Sequence, residues 1–288
     1  MTETIHSQDF GHSQLEWRES GNAEGDIVVF LHGFPDSPST WDHQIAHFSK
    51  KYFCLAPYAR GTGQQSSGPE KSTHSVGSHV LDLLALVKLK DSSNSRRVFC
   101  VGHDLGGPIA ARFARLLGDR LGGLVLINSV SLSQMKRRLR RPSQLLKSWY
   151  IYPILVPGVS ETVLRLLPAK LVEAIQRKAG MPAELARENS GSTQQVAHHI
   201  IEPLQQYRQY FREMWEDGDP VSERIDRPLL MLFGNHDPFL ALPTMDEARL
   251  LGHDAQVRIV EGAHWVHLDK SADVNAYLDL FFDEAKTK

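Results

Sequence analysis

The sequence predicts an α/β protein, a mostly parallel, doubly wound sheet interrupted once by an inserted helical unit. Three observations carry that reading. Continuous apolar, β-favouring runs such as Ile27-Val28-Val29-Phe30-Leu31 and Val98-Phe99-Cys100-Val101 have the pattern of strands buried on both faces. They alternate with helical spacing, as at Val76, Val80, Leu83, Leu84 and Val87, and such alternation implies parallel strands joined by right-handed crossovers. The alternation stops from about Val130 to Asp219 and resumes at Pro228.

In order, alternating residues from about His12 to Glu19 predict an early edge strand, closed by turn chemistry at Gly21-Asn22-Ala23-Glu24-Gly25. Ile27 to Leu31 is a central strand. It runs into the loop His32-Gly33-Phe34-Pro35-Asp36 and a helix through Trp41, Ile45 and Phe48. Tyr52 to Ala56 is the next strand, followed by a Gly/Ser/Gln-rich loop over Pro57 to Pro69 that contains Arg60-Gly61-Thr62-Gly63. The helix from Val76 leads into the strand before Asp104, and Ala-rich helical spacing follows it. Gly123 to Ile127 is another buried strand, ending at Asn128-Ser129. Helical stretches broken by Pro153, Pro157, Pro168, Pro182 and Pro203 fill the insertion. Leu229 to Phe233, Val257 to Val260 and a helix over Ala272 to Phe282 complete the chain. The expected division is a core of residues 1–129 and 221–288, with a helical cap at 130–220 inserted after the strand ending near Asn128.

A chain of 288 residues with 41% apolar and 23% charged side chains is long enough for one sizeable core. A net charge of −2 gives no general attraction to nucleic acid. No apolar run approaches the roughly 20 residues of a membrane span, and Met1 to His6 lacks the basic start and apolar core of a secretion signal. Cys54 and Cys100 fall in expected buried strands, where thiols act as small hydrophobes. The resulting expectation is a cytoplasmic monomer or homodimer, with no nucleic-acid partner and no membrane span.

In a doubly wound sheet, ligands bind beyond the carboxyl ends of the strands, and three such ends carry reactive groups. Gly102-His103-Asp104-Leu105-Gly106-Gly107 is a strand–turn–helix of the form Gly-x-Asp-x-Gly, the nucleophile-elbow pattern with Asp104 in the central position. Taken alone, the same turn could serve only to cap a helix. Asp237 follows a second strand in Gly234-Asn235-His236-Asp237, and His264 follows the last in Gly262-Ala263-His264. Nucleophile, acid, histidine is the chain order of a hydrolytic triad on such a sheet. A histidine base needs a carboxylate to fix its tautomer. Asp237 fits, whereas the alternative strand end offers only Asn128-Ser129. His267 is the rival base, and His236 and His103 are expected to bond locally.

These motifs, with His32-Gly33-Phe34-Pro35 and Arg60-Gly61-Thr62-Gly63, resemble the epoxide hydrolase branch of the α/β-hydrolase superfamily over nearly the whole chain from about residue 12. The resemblance implies two cap tyrosines that polarise the epoxide oxygen. Ser148-Trp149-Tyr150 resembles the context of the first and Gln205-Gln206-Tyr207-Arg208 that of the second, with Tyr152 and Tyr210 as the other candidates. It also implies a small-molecule epoxide or related alkyl electrophile as substrate and no cofactor. The family's usual Trp after the nucleophile is Leu105 here.

The chemistry is consistent with those residues. A carboxylate suits attack on a saturated carbon bearing a leaving group, giving an alkyl ester of the enzyme. Water activated by His264 then attacks the Asp104 carboxyl carbon. The backbone N–H groups of Phe34 and Leu105 are the expected oxyanion donors. An epoxide leaves as an alkoxide and needs the proton donors that phenols provide. A haloalkane or haloacid dehalogenase would use the same triad but needs halide donors, and the side chains of Phe34 and Leu105 supply none, leaving a cap residue such as Trp149. A fluoroacetate-type enzyme resembles the pattern less, since its usual Arg is Leu105 here. A non-catalytic receptor on the same fold has no need of all three triad residues.

Three further features point elsewhere. The basic run Lys136-Arg137-Arg138-Leu139-Arg140-Arg141 is read as a solvated cap face, with attraction of anionic substrates or a lipid surface as the alternative. His264-x-x-His267 and His198-His199 lack the spacing and partners of a metal site, and Arg60 to Gly63 lacks the ending of a phosphate loop.

Overall fold

The computed structural model describes residues 5–62, 74–192, 196, 200–201, 203–216 and 224–287. Among these, eight strands form one sheet: β1 (Ile5–Asp9), β2 (Gln14–Gly21), β3 (Ile27–Leu31), β4 (Phe53–Pro57), β5 (Val98–His103), β6 (Leu121–Ile127), β7 (Leu229–Gly234) and β8 (Ala255–Val260). Their order across the sheet is β1-β2-β4-β3-β5-β6-β7-β8. The pairs β1–β2 and β2–β4 are antiparallel, and every other neighbouring pair is parallel.

Helices cover both faces. α1 (Asp42–Phe48) follows β3, α2 (Val76–Lys90) precedes β5, and α3 (Gly106–Leu117) joins β5 to β6. Between β6 and β7 the chain forms α4 (Leu132–Arg138), α5 (Pro142–Lys147), α6 (Ile151–Leu155), α7 (Val159–Leu166), α8 (Ala169–Lys178), α9 (Ala183–Ser190) and α10 (Leu204–Glu216), with no strand among the described residues. α11 (Met245–Leu251) joins β7 to β8, and α12 (Val266–Asp269) and α13 (Ser271–Ala285) end the chain. No helix among the described residues is long and apolar enough to cross a membrane.

Alternation along the buried strands sorts side chains onto two cores. Val29, Leu55, Cys100 and Leu124 face α2 and α3 through Leu83 and Phe113. Val28, Phe30, Cys54, Val101 and Val125 face α1 and α13 through Phe48, Phe281 and Phe282. Each fully buried large side chain contributes about 1.5–3 kcal/mol. Both cysteines are buried in this packing, and loss of solvation pushes the Cys54 thiol up to about 12.

The register sets up the site. Leu31 pairs with Gly102, His103 with Ile127, and Ile127 with Leu232. The loops after β3, β5, β6 and β7 therefore leave the sheet side by side at the carboxyl ends of its parallel strands.

Three features depart from the sequence expectations. The alternating segment near His12 is strand β2, but it is not the edge, because β1 pairs outside it. β1 is almost wholly exposed and has no apolar pattern to find; ladder hydrogen bonds hold it instead. α11 was not expected, although its Thr244/Glu247 capping box is a recognisable start signal. The run from Lys136 to Arg141 is not one solvated face. Arg138 is buried and donates to Glu247 Oε2 at 2.9 Å and to the Ala241 carbonyl at 2.7 Å. The expected cap boundary at 220, Gly63, and His198-His199 lie outside the described residues.

Candidate active site

Asp104 sits on the turn between β5 and α3 with φ +47°, a left-handed backbone that is uncommon for a residue other than glycine. The turn closes because its neighbours lack Cβ atoms. A Cβ on Gly106 would lie 2.2 Å from the Leu31 carbonyl, and one on Gly33 would lie 2.4 Å from Asp104 Cβ. The loop after β3 thus lies against the aspartate, and the Phe34 N–H donates to Asp104 Oδ1 at 2.9 Å. His32 holds that loop: its Nδ1 donates to the Gly33 carbonyl at 2.9 Å, and its Nε2 accepts from the Ala59 N–H at 3.0 Å. Of the two expected oxyanion donors, Phe34 is in contact. Leu105 stands at the N-cap of α3, and no hydrogen bond joins its N–H to the carboxylate.

His264 lies 3.4 Å from Asp104 Oδ2 through Nε2 and 2.9 Å from Asp237 Oδ2 through Nδ1. Asp237 is buried yet fully engaged. Its Oδ1 accepts from the N–H groups of Phe239 at 2.7 Å and Leu240 at 3.0 Å, and its Oδ2 accepts from Asn128 Nδ2 at 2.6 Å. Burial opposes charge on Asp237, but the His264 ion pair, Asn128 and the Leu240 N–H overrule it and hold the carboxyl below its ordinary range. Burial opposes charge on His264 as well, and the two carboxylates raise it above its ordinary value. Asp104 is likewise lowered, against burial, by His264 and the Phe34 N–H.

Above Asp104 a small, largely apolar cavity is roofed by the inserted helices. Its lining includes Leu105, Met135, Tyr150, Tyr207, Tyr210 and Phe239. The hydroxyls of Tyr150 and Tyr207 are 3.1 Å apart. Burial raises both phenols above their ordinary value, so they hold their protons. Tyr207 packs edge-on against Phe34 and stacks on Phe211, and Tyr150 packs edge-on against Phe239. Arg208 locks α10 to the neighbouring helices through the Ile154 carbonyl, Ser160 and Glu161. Tyr210 also lines the cavity, but its hydroxyl accepts from Gln206 Nε2 at 3.0 Å, while Tyr152 is exposed.

The other histidines stand apart from the carboxylate. His267 is buried with Nε2 2.8 Å from the Thr40 hydroxyl, His103 Nε2 donates to the His264 carbonyl at 3.0 Å, and His236 is exposed. Asp36, His103 and His267 form the one group of metal-ligand type among the described residues, with atoms within 4.8 Å of one another. Asp36 Oδ2 already accepts from the Trp265 indole at 2.8 Å. Together these bonds hold the loop that carries His264.

A family model of the alpha/beta hydrolase fold matches residues 26–271. The chain belongs to that family. Curated relatives of this α/β hydrolase include epoxide hydrolase 2 of Caenorhabditis elegans, 27% identical over 94% of this chain and 78% of the relative. Epoxide hydrolase 3 of Xenopus tropicalis is 27% identical over 99% and 80%. Among solved structures, a Vigna radiata epoxide hydrolase mutant matches with a TM-score of 0.80 at 20% identity, covering 98% of this chain and 99% of that one. A Bacillus megaterium epoxide hydrolase in complex with an inhibitor gives 0.79 at 22% identity, covering 96% and 100%. These structures speak to the fold.

Sequence reasoning missed two residues of the α/β hydrolase site. Asn128, in the sequence only a strand end without a charge, supports Asp237; its place beside the triad strands is the available signal. Phe239 packs edge-on against His264 at 5.0 Å and against Tyr150 at 5.3 Å, and nothing in its sequence context marks it.

Proposed function

We propose that this α/β hydrolase opens epoxides to vicinal diols through an alkyl ester on Asp104. The observation that carries the proposal is the meeting, in one apolar cavity, of an ionised carboxylate in line with His264 and Asp237 and a pair of protonated phenols. The names of the relatives point the same way.

In the first step an Asp104 oxygen attacks one epoxide carbon from the side opposite the C–O bond that breaks. The departing oxygen takes a proton from Tyr150 or Tyr207, whose shared hydrogen bond lets either phenol stabilise the other as it loses its proton. Esterification removes one of the two anions that hold His264 protonated, so the imidazolium gives up its proton, which restores the phenol, and the neutral imidazole is free to act as base. With Asp237 orienting Nδ1, His264 Nε2 then takes a proton from water, and the hydroxide oxygen adds to Asp104 Cγ. The Phe34 N–H, joined by that of Leu105 as charge develops, stabilises the oxyanion by about 3 kcal/mol per donor. Collapse expels the diol alkoxide, which is protonated from the imidazolium; the Asp104 carboxylic acid, now carrying one oxygen from water, then returns its proton to His264. No cofactor enters these steps.

Halide release by the same triad is the weaker reading, because Trp149, the cap donor it would need, is 69% exposed. His264→Gln incubated with a small epoxide and digested for peptide mass spectrometry tests the proposal. An alkyl adduct on the peptide carrying Asp104 is expected. An adduct elsewhere, or turnover without one, overturns it.

A further inference from the structure

The inserted helices α5, α7 and α8 present rows of apolar side chains to solvent. α5 and the turn after it bury Gln144 and Ser148, while Leu145, Leu146 and Trp149 are exposed. α7 buries Ser160 and exposes Val159, Val163 and Leu166, spaced i, i+4, i+7 along one stripe. α8 exposes Leu171, Ile175 and Lys178 at the same spacing. These stripes point away from the protein, because Leu164 and Leu167 pack inward with Val172 in a separate cluster. Leu146 at 76% and Leu166 at 78% are the most exposed large apolar side chains among the described residues. A concentration of this kind on one inserted unit marks a binding surface.

Charge identifies the occupant. From Pro142 to Lys178 the chain has five basic and two acidic side chains, a surplus of three in a protein whose net charge is −2. Of the two acids, Glu161 is held by Arg208 and Glu173 lies beside Arg177. Arg165, Lys170, Arg177 and Lys178 are exposed among the apolar stripes. A second copy docked face to face would set this positive surface against itself, which like-charge repulsion disfavours. Leucine and valine stripes, flanking Trp149 and Tyr152, and a basic border are the signature of a surface that lies in the headgroup layer of an anionic membrane.

We propose that the outer face of α5, α7 and α8 docks on an anionic phospholipid surface, with the apolar stripes reaching the acyl boundary and the cations facing the headgroups. α5, α7 and α8 contribute no side chain to the cavity, whose roof is built by α4, Tyr150 and α10, so the docked face lies outside the roof. This surface is independent of the bond-making chemistry.

The test is sedimentation of the full chain with phosphatidylcholine vesicles, with and without phosphatidylglycerol. Binding to the anionic vesicles alone is expected, weakening with salt and falling about fivefold for each cation removed, as in Lys170→Gln and Arg165→Gln. Leu146→Ser/Leu166→Ser should abolish sedimentation while leaving turnover of a water-soluble epoxide unchanged. Quenching of Trp fluorescence by brominated phospholipid, lost in Trp149→Leu, reads the same contact without relying on those variants. Equal binding to neutral vesicles, or none to anionic ones, overturns the proposal. So does a dimer in solution that Leu166→Ser dissociates, since a second copy would then cover the face.

Discussion

Asn128 Nδ2 donates to Asp237 Oδ2 at 2.6 Å, the same oxygen that meets His264 Nδ1 at 2.9 Å. Asn128 is itself aimed: its Oδ1 accepts from the Gly234 N–H at 3.1 Å, and its backbone turns at φ +41°. The amide therefore bridges the ends of β6 and β7 and helps keep Asp237 ionised. Asn128→Ala removes one hydrogen bond to a charged acceptor, worth about 1.5–3 kcal/mol, and kcat is expected to fall about 10- to 100-fold. Asn128→Asp should fall further, because a second carboxylate beside Asp237 opposes its charge. Steady-state rates check this; an Asn128→Asp enzyme as active as the parent would remove Asn128 from the site.

The phenol pair yields a prediction about which step is slowed. Tyr150→Phe and Tyr207→Phe should each slow formation of the Asp104 ester by roughly 100-fold, within the usual range for general acid catalysis. Hydrolysis of the ester, once formed, should be nearly unchanged. Rapid-quench single turnovers separate the two steps. If both variants slow only ester hydrolysis, the phenols have been given the wrong role.

The pH profile should also divide by step. Asp104 is held below its ordinary range by His264, against the effect of burial, while burial raises Tyr150 and Tyr207. Ester formation should then be flat across neutral pH, failing in acid only below an ordinary carboxyl pKa of about 3.9 and in base only above an ordinary phenol pKa of about 10. Ester hydrolysis needs neutral His264. It should rise with pH, at a lower pH than the free enzyme's imidazole titrates, because the ester has lost the Asp104 anion. Single turnovers followed across pH check this, and ester formation that titrates near neutrality would contradict it.

Much of the site was legible because it depends on residue types at the ends of strands. Gly102, Asp104, Gly106, Asp237 and His264 each stand where a buried run ends, and backbone geometry allows few alternatives there. Asn128 was visible in position but not in role, since a hydrogen bond across two loops leaves no spacing in the chain. Phe239 and the edge strand β1 were invisible for a related reason. Ring packing on His264 and ladder bonds at a sheet edge both depend on partners far away in sequence. The basic run misled in a different way, since six residues rich in charge normally face water.

Arg138 shows why that inference failed, and it supports a stability prediction. Its side chain is 2% exposed, with Nη2 on Glu247 Oε2 at 2.9 Å, Nη1 on the Ala241 carbonyl at 2.7 Å, and the guanidinium 5.7 Å from the Phe233 ring centre. Glu247 also accepts from the half-exposed Arg141 at 2.6 Å and closes the capping box of α11. The two partners are therefore not equivalent. Glu247→Leu strands a buried guanidinium with one carbonyl and the Phe233 ring but no counter-ion in contact, and breaking a buried pair from one side costs about 3–5 kcal/mol. Arg138→Met leaves Glu247 with Arg141 and its backbone contacts, so the loss should be smaller, while the double variant Arg138→Met/Glu247→Leu should recover part of the cost of Glu247→Leu. Urea unfolding measures all three. Equal losses in the two single variants, or a double variant no better than Glu247→Leu, would mean that the pair does not brace the start of the insertion against α11.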